Sequence, residues 1–308
     1  MNIEKTDEGK LVDLTLQPAW GPGKIVKVDG KYVYIRFKSD PEPQARKFGC
    51  AENPLQVAAS QTDPVLDRMP IGYKPKSSKT AKQPKSLIPL QTFEQAKETF
   101  LAKFPGKFDD AGYIGDAEHG ERFFLLQSVQ LYQELFGNGQ LRQLLEAKDA
   151  AQLAERAQKV LGAQNLTFVQ ETLRFKDVLK MPEETLKYFG ALAQLLEAEE
   201  LKAETMTPYF EAVKAIAVVG FDKWPNATLF PFLAQPARHI FLKPQVTKQF
   251  AQSLGYDLKY NNKPNWATYE AFLVIAKDCQ TRLADWNPKD LIDIQSFIWV
   301  LMGYHIER

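Results

Sequence analysis

Side chains able to do chemistry cluster at a few places in this 308-residue chain. The densest is the loop "FPGKFDDAGYIGDAEHGERF", which gathers Asp109, Asp110, Asp116, Glu118, His119 and Glu121. Carboxylates beside a histidine are the raw material of proton transfer or metal binding. The spacing, however, fits neither a His-x-x-x-His pair nor an EF-hand loop. Gly, Asp and Pro in such a stretch are also what ordinary turns demand. A structural loop is therefore the leading reading, and Asp109, Asp110, Glu118 and His119 are the catalytic candidates if the chain is an enzyme. Lys243, in "IFLKPQVTKQF", joins them as a further catalytic candidate. No metal site and no cofactor is expected. Cys50 and Cys279 are far apart and match no metal spacing, as free thiols in a reducing compartment would be.

Positive charge is the second feature. The stretch "YKPKSSKTAKQPKSL" carries Lys74, Lys76, Lys79, Lys82 and Lys85 with no acidic residue between them. Pro75 and Pro84 block regular helix, and almost nothing apolar is present to bury, so a mobile tether is expected. Its lysines serve either to attract phosphates through sequence-blind, salt-sensitive contacts or simply to keep a linker soluble. Further on, Lys223, Arg238, Lys243, Lys248, Lys259 and Lys263 face only Asp222 and Asp257, which predicts a local basic face. The net charge of +1 excludes a uniformly basic nucleic-acid coat but not such a patch. Within it, Lys223-Trp224-Pro225 offers a stacking ring beside a cation, against the usual core role of tryptophan. His239 reads first as a local hydrogen-bonding group and second as a phosphate contact. Asp290 and Asp293 share a helix face and could serve as an acid pair or accept bonds from the basic segment, but early acids suit the helix dipole and that reading leads.

These residues need elements to hold them. "AWGPGKIVKVDGKYVYIRF" alternates apolar and polar residues about Asp29-Gly30, a pair suited to a tight hairpin turn. Gly21-Pro22-Gly23 makes a second bend, and "ARKF" supplies a further short strand. The pattern Pro18, Trp20, Gly21, Gly23, Ile25, Val28, Gly30, Val33, Ile35 and Phe37 resembles the SH3/Tudor-like module at the C-terminus of UvrD-type repair helicases, and more loosely the CarD-like modules. The resemblance implies a small β-barrel that recruits RNA polymerase, another protein or nucleic acid. Tyr32, Tyr34 and Arg36 share parity, and with Trp20 they are the candidate partner contacts, against a plain role in barrel core and rim.

From Thr92 onwards helical spacing replaces strand signals. Helices are expected over "TFEQAKETFLAKF", "ERFFLLQSVQLYQELFG" and "PEETLKYFGALAQLLEAEELKA", with Thr92, Asn265 and Asn287 as caps and Pro182 in a first turn. "VVGFDKWPNATLF" and "IFLKPQVTKQF" are dimly similar to the hairpin and the catalytic region of helix–hairpin–helix DNA glycosylases. The second hairpin glycine is missing, and Lys243-Pro244 stands where the acidic residue would be. The body also resembles an uncharacterised family of bacterial helical proteins.

The expected fold class is therefore mainly α, a multi-helix body preceded by a small SH3/Tudor-like β-barrel. The expected boundaries are 1–72 for the barrel, 73–90 for the linker and 91–308 for the helices, with a subdivision near 205. The charged start lacks a signal-peptide core, and the longest apolar runs are far below the roughly 20 residues of a membrane span. A cytoplasmic protein without membrane contact is expected. The first expected function is nucleic-acid-associated accessory work, on DNA before RNA. The second is an adaptor docking on RNA polymerase or a repair protein. A glycosylase-like or other nucleic-acid-processing enzyme is the third.

Overall fold

The computed structural model describes residues 3–15, 20–30, 32–38, 45–49, 55–69, 71, 90–115 and 120–303. Twelve α-helices follow a small antiparallel sheet among these residues. The expected class, mainly α behind a small β module, is what the chain adopts. No helix among the described residues is long and apolar enough to cross a membrane. The lysine-rich stretch, with Lys74, Lys76, Lys79, Lys82 and Lys85, lies outside the described residues, as do Pro18, Cys50, Asp116, Glu118 and His119.

The chain divides into two compact units, Met1–Lys97 with Gln249–Asp257, and Glu98–Lys248 with Leu258–Arg308. The first holds strands β1 (Leu11–Leu14), β2 (Gly23–Asp29), β3 (Tyr32–Phe37), β4 (Arg46–Gly49) and β5 (Leu55–Val57). All described pairings are antiparallel, in the order β4-β3-β2-β1-β5. Gly30, at φ +60°, makes the turn between β2 and β3, a conformation that costs a residue without Cβ nothing. Register pairs Ile25 with Ile35 and Val28 with Val33, and slips between Ile25 and Lys27. One face of the sheet thus buries Ile25, Val33, Ile35 and Phe37 with Val12, Leu14 and Leu55. Leu90 packs on this core, and the adjacent Gln91 N–H donates to the Ser253 carbonyl at 2.8 Å. That bond belongs to the segment Gln249–Asp257, far along the chain, which sequence spacing gave no reason to join to the sheet.

The second unit is helical. Its elements are the C-terminal part of α1 (Phe93–Lys103), α2 (Ala111–Ile114), α3 (Glu121–Phe136), α4 (Gln140–Glu146), α5 (Ala150–Ala163), α6 (Val169–Leu179), α7 (Pro182–Glu197) and α8 (Ala203–Lys214). These are followed by α9 (Trp224–Ala234), the N-terminal half of α10 (Pro244–Ser253), α11 (Trp266–Arg282) and α12 (Leu291–Leu301). Helix α9 has no polar face and every one of its residues is buried, the expected fate of a helix apolar all round. Phe136, Phe175, Tyr188, Phe189 and Phe230 form an aromatic core around it. A second aromatic cluster joins Phe100, Phe108 and Tyr113 to Trp286 and Phe297. Thr92 caps α1 through a reciprocal pair of bonds with Gln95, Pro182 opens α7, and Asn265 caps α11. Asn287 does not cap α12. It adopts a left-handed conformation at φ 52°, and Asp290 provides the cap.

Candidate functional site

Two constellations bear on function, one in each unit, together with a set of cations that turn out to serve the fold. In the first unit the paired strands place Lys27 opposite Tyr34, and Tyr34 opposite Lys47. Directly paired residues share a face, so these three form a row across β2, β3 and β4, on the side away from the buried Val33 and Ile35. The Lys47 ammonium lies 3.8 Å from the centre of the Tyr32 ring and 5.8 Å from that of Tyr34. Lys27 lies 5.7 Å from the Tyr34 ring and pairs with Asp29 at 2.7 Å. That hydrogen bond pushes the Lys27 amine up and the Asp29 carboxyl down. The result is a half-exposed strip of two rings, each with a cation over it.

The other two expected contacts leave this strip. Arg36 has the parity of Tyr32 and Tyr34 but is buried, with only 8% exposure. Trp20 packs edge-on against Phe37 at 5.2 Å, and the Arg46 guanidinium covers its ring at 3.7 Å. Arg46 is paired with Ile35, so Trp20 and Arg46 belong to the core side of the sheet. Tyr32 and Tyr34 are brought together as expected, and the neighbouring Lys27 and Lys47 were missed. Their signal was available in the alternation of "KIVKV" and "ARKF" once the hairpin register was known.

In the helical unit, several residues of the expected basic face are engaged by nearby groups. Trp224 is fully buried, stacks on Tyr269 and donates from Nε1 to the Asn261 carbonyl at 2.7 Å, so it presents no ring to a ligand. Lys223 lies 3.9 Å from Asp222, which also pairs with Lys263. Arg238 donates to the carbonyls of Ala198 and Glu199 at 2.8 and 3.1 Å, satisfying acceptors at the end of α7. His239 is fully buried beside the Tyr269 hydroxyl at 3.3 Å, and burial, aided by Arg238, pushes its pKa down to about 3. It is a neutral core residue and cannot serve as a phosphate contact. Lys248 lies 4.6 Å from the Tyr260 ring. Lys243 is buried and donates to the Leu166 carbonyl at 3.1 Å. Each of these cations is engaged close to home, because helix ends and buried rings supply acceptors that local sequence does not reveal.

Asp109 and Asp110 of the acidic loop are likewise used by the fold. Asp110 accepts from the N–H groups of Gly106 and Gly112 at 2.8 and 2.9 Å, tightening the turn before α2. Asp109 pairs with Lys289 at 3.2 Å. No group of three or more His, Cys, Asp or Glu residues able to hold a metal occurs among the described residues.

The second constellation is one that sequence reasoning did not name. The Arg122 guanidinium grips Asp290 with two bonds of 2.9 and 2.8 Å and reaches Asp293 at 2.6 Å. The Tyr113 hydroxyl donates to Asp293 at 2.5 Å, and the Lys289 N–H donates to its other oxygen at 2.7 Å. Burial raises the Asp293 carboxyl above its ordinary range, while Tyr113, Arg122 and the Lys289 N–H pull it back. Burial works against the Arg122 charge, but its bonds to Asp290 and the field of both carboxylates more than offset that. Every oxygen of Asp293 has a donor and the residue is fully buried, so the network clamps the start of α3 to α12. Asp290 and Asp293 were already visible as a pair on one helix face, and the arginine beside the apolar run "FFLL" was the signal passed over. Tyr113 and Arg122 thus converge on Asp290 and Asp293, and among the described residues neither Arg238 nor Lys243 takes part. No known family model, curated protein or solved structure matches this chain.

Proposed function

We propose that this chain is an interaction adaptor whose N-terminal sheet docks an acidic, extended segment of a protein partner. The observation that supports this most directly is the cross-strand row Lys27–Tyr34–Lys47 with Tyr32 beside it. Rings that lie under ammonium groups already have their faces occupied, so the strip offers charge and ring edges to a ligand more readily than a stacking platform for bases. Carboxylates of a peptide answer the two lysines, and its apolar atoms pack on the tyrosines. Of the cations that the sequence offered to a polyanion, Lys223 and Lys263 lie against Asp222, Arg238 donates to backbone carbonyls, and Lys243 and Lys248 lie against aromatic rings, which favours the sheet as the docking element.

Fluorescence anisotropy with three labelled probes tests the reading: an Asp/Glu-rich peptide containing Phe, its Asn/Gln counterpart, and a single-stranded oligonucleotide. The full-length protein should bind the acidic peptide in preference to the neutral one, and Lys47→Glu with Tyr34→Ala should abolish the preference. Equal binding of both peptides would overturn the proposal. Tight oligonucleotide binding that survives the two substitutions would instead return the lysine-rich segment and nucleic acid to the front.

A further inference from the structure

Lys243 is the nucleophilic group for which the docking reading has no use. It immediately precedes α10 and is 8% exposed. Its ammonium lies 3.9 Å from the centre of the Phe168 ring and 5.6 Å from that of Trp299. Phe168 caps the start of α6, and its backbone N–H donates to the Glu171 carboxyl at 2.7 Å. Two features separate this place from an ordinary buried lysine. The ring that covers the amine is itself 58% exposed, so an apolar side chain stands in solvent over a desolvated nucleophile. The Trp299 Nε1, buried, has no hydrogen-bond partner among the described residues, leaving a donor that a ligand oxygen can take.

Glu171 completes the set. It borders a surface groove of about 570 Å³ that runs along α6 past Leu173, Arg174 and Gly220. Burial holds the Lys243 amine below its usual range against the opposing charge of Glu171. Burial also raises the Glu171 carboxyl, against the Phe168 N–H and the Lys243 charge. Burial thus moves both groups in the direction of their neutral forms, which favours the amine as a nucleophile and the carboxyl as a proton carrier.

We propose that Lys243 is a reactive amine that forms a reversible imine with an aromatic aldehyde admitted beside Phe168. The lone pair of Nζ attacks the carbonyl carbon, and the C=O π electrons move to oxygen. Both amine protons pass to that oxygen through Glu171, the C–O bond breaks, and water leaves as the C=N bond forms. The carboxyl is regenerated and no oxidant or reductant is consumed. The flanking Phe168 and Trp299 rings favour an aromatic substituent on the aldehyde.

The test treats the full-length protein with benzaldehyde and then borohydride, which turns an imine into a stable secondary amine, and maps the labelled lysines by peptide mass. Lys243 should be labelled about tenfold faster than the exposed Lys159 and Lys180. Phe168→Ala, which removes the ring that holds the aldehyde and desolvates the amine, and Glu171→Gln should each lower that rate. Lys243→Arg should lose this labelled peptide while background labelling persists. Labelling of Lys243 in the wild-type protein no faster than that of Lys159 and Lys180 would overturn the proposal, and that comparison does not depend on whether any variant folds.

Discussion

Replacing Arg122 with Met leaves Asp293 as a carboxylate with 0% exposure and no cation. The two carboxylates held by Arg122 respond differently. The Asp290 side chain keeps 17% exposure, so water takes over part of its solvation, whereas Asp293 has no such recourse. Removing one partner of a buried pair costs about 3–5 kcal/mol. For a helical unit of this size that corresponds to a melting-temperature drop of roughly 6–20 °C. The sign of the pH dependence follows from the Asp293 carboxyl, already raised by burial and pulled back by Arg122. Without Arg122 it rises further, so the folded state keeps a proton that the unfolded chain has released. Stability is then lost as pH climbs from the ordinary carboxylate value of 3.8 through the raised folded value, and stays lost above it. Urea unfolding followed by circular dichroism near pH 5 and near pH 7.5 should show the larger penalty at the higher pH. Arg122→Met with Asp293→Asn should recover about 0.5–3 kcal/mol relative to Arg122→Met alone. Equal penalties at the two pH values, together with a double mutant that shows simple additivity, would refute the idea that uncompensated charge on Asp293 carries the cost.

His239 should impose the opposite slope. Its pKa is lowered from 6.5 to about 3, so the unfolded chain takes up a proton that the folded chain refuses, and stability falls as pH drops below about 6.5. By about pH 4.5 this amounts to about 2–3 kcal/mol, and His239→Leu should flatten the pH profile of urea unfolding by that amount. Trp224→Ala removes a fully buried ring together with its bond to Asn261, and should cost about 3–5 kcal/mol in the same assay. Gly23→Ala would set a Cβ 2.6 Å from Ile35 Cγ2 and 2.8 Å from the Phe37 ring. That overpacking should cost about 1–3 kcal/mol, read as a lower melting temperature of the sheet by Trp20 fluorescence. Lys27→Glu should weaken binding of the acidic peptide and reduce its salt dependence, measured by anisotropy at two salt concentrations.

Some of the chain was legible from sequence alone, because local rules decide it. The Asp29-Gly30 hairpin, the strand at Arg46, the Thr92 and Asn265 caps and the Pro182 helix start all depend on neighbours a few residues away. The alternation that put Val33 and Ile35 inside also put Tyr32 and Tyr34 together outside. The destinations of long polar side chains were not legible in this way. Arg238 and Lys223 read as a surface patch, yet Arg238 closes the end of α7 and Lys223 pairs with Asp222. Asp290 and Asp293 read as dipole partners, yet they hold Arg122 from a helix some 170 residues earlier in the chain. Periodicity states which face of an element is apolar. Only tertiary packing determines which carbonyl, ring or carboxylate arrives opposite a given cation, and the pairing across that distance decides whether the charge faces a ligand or serves the fold.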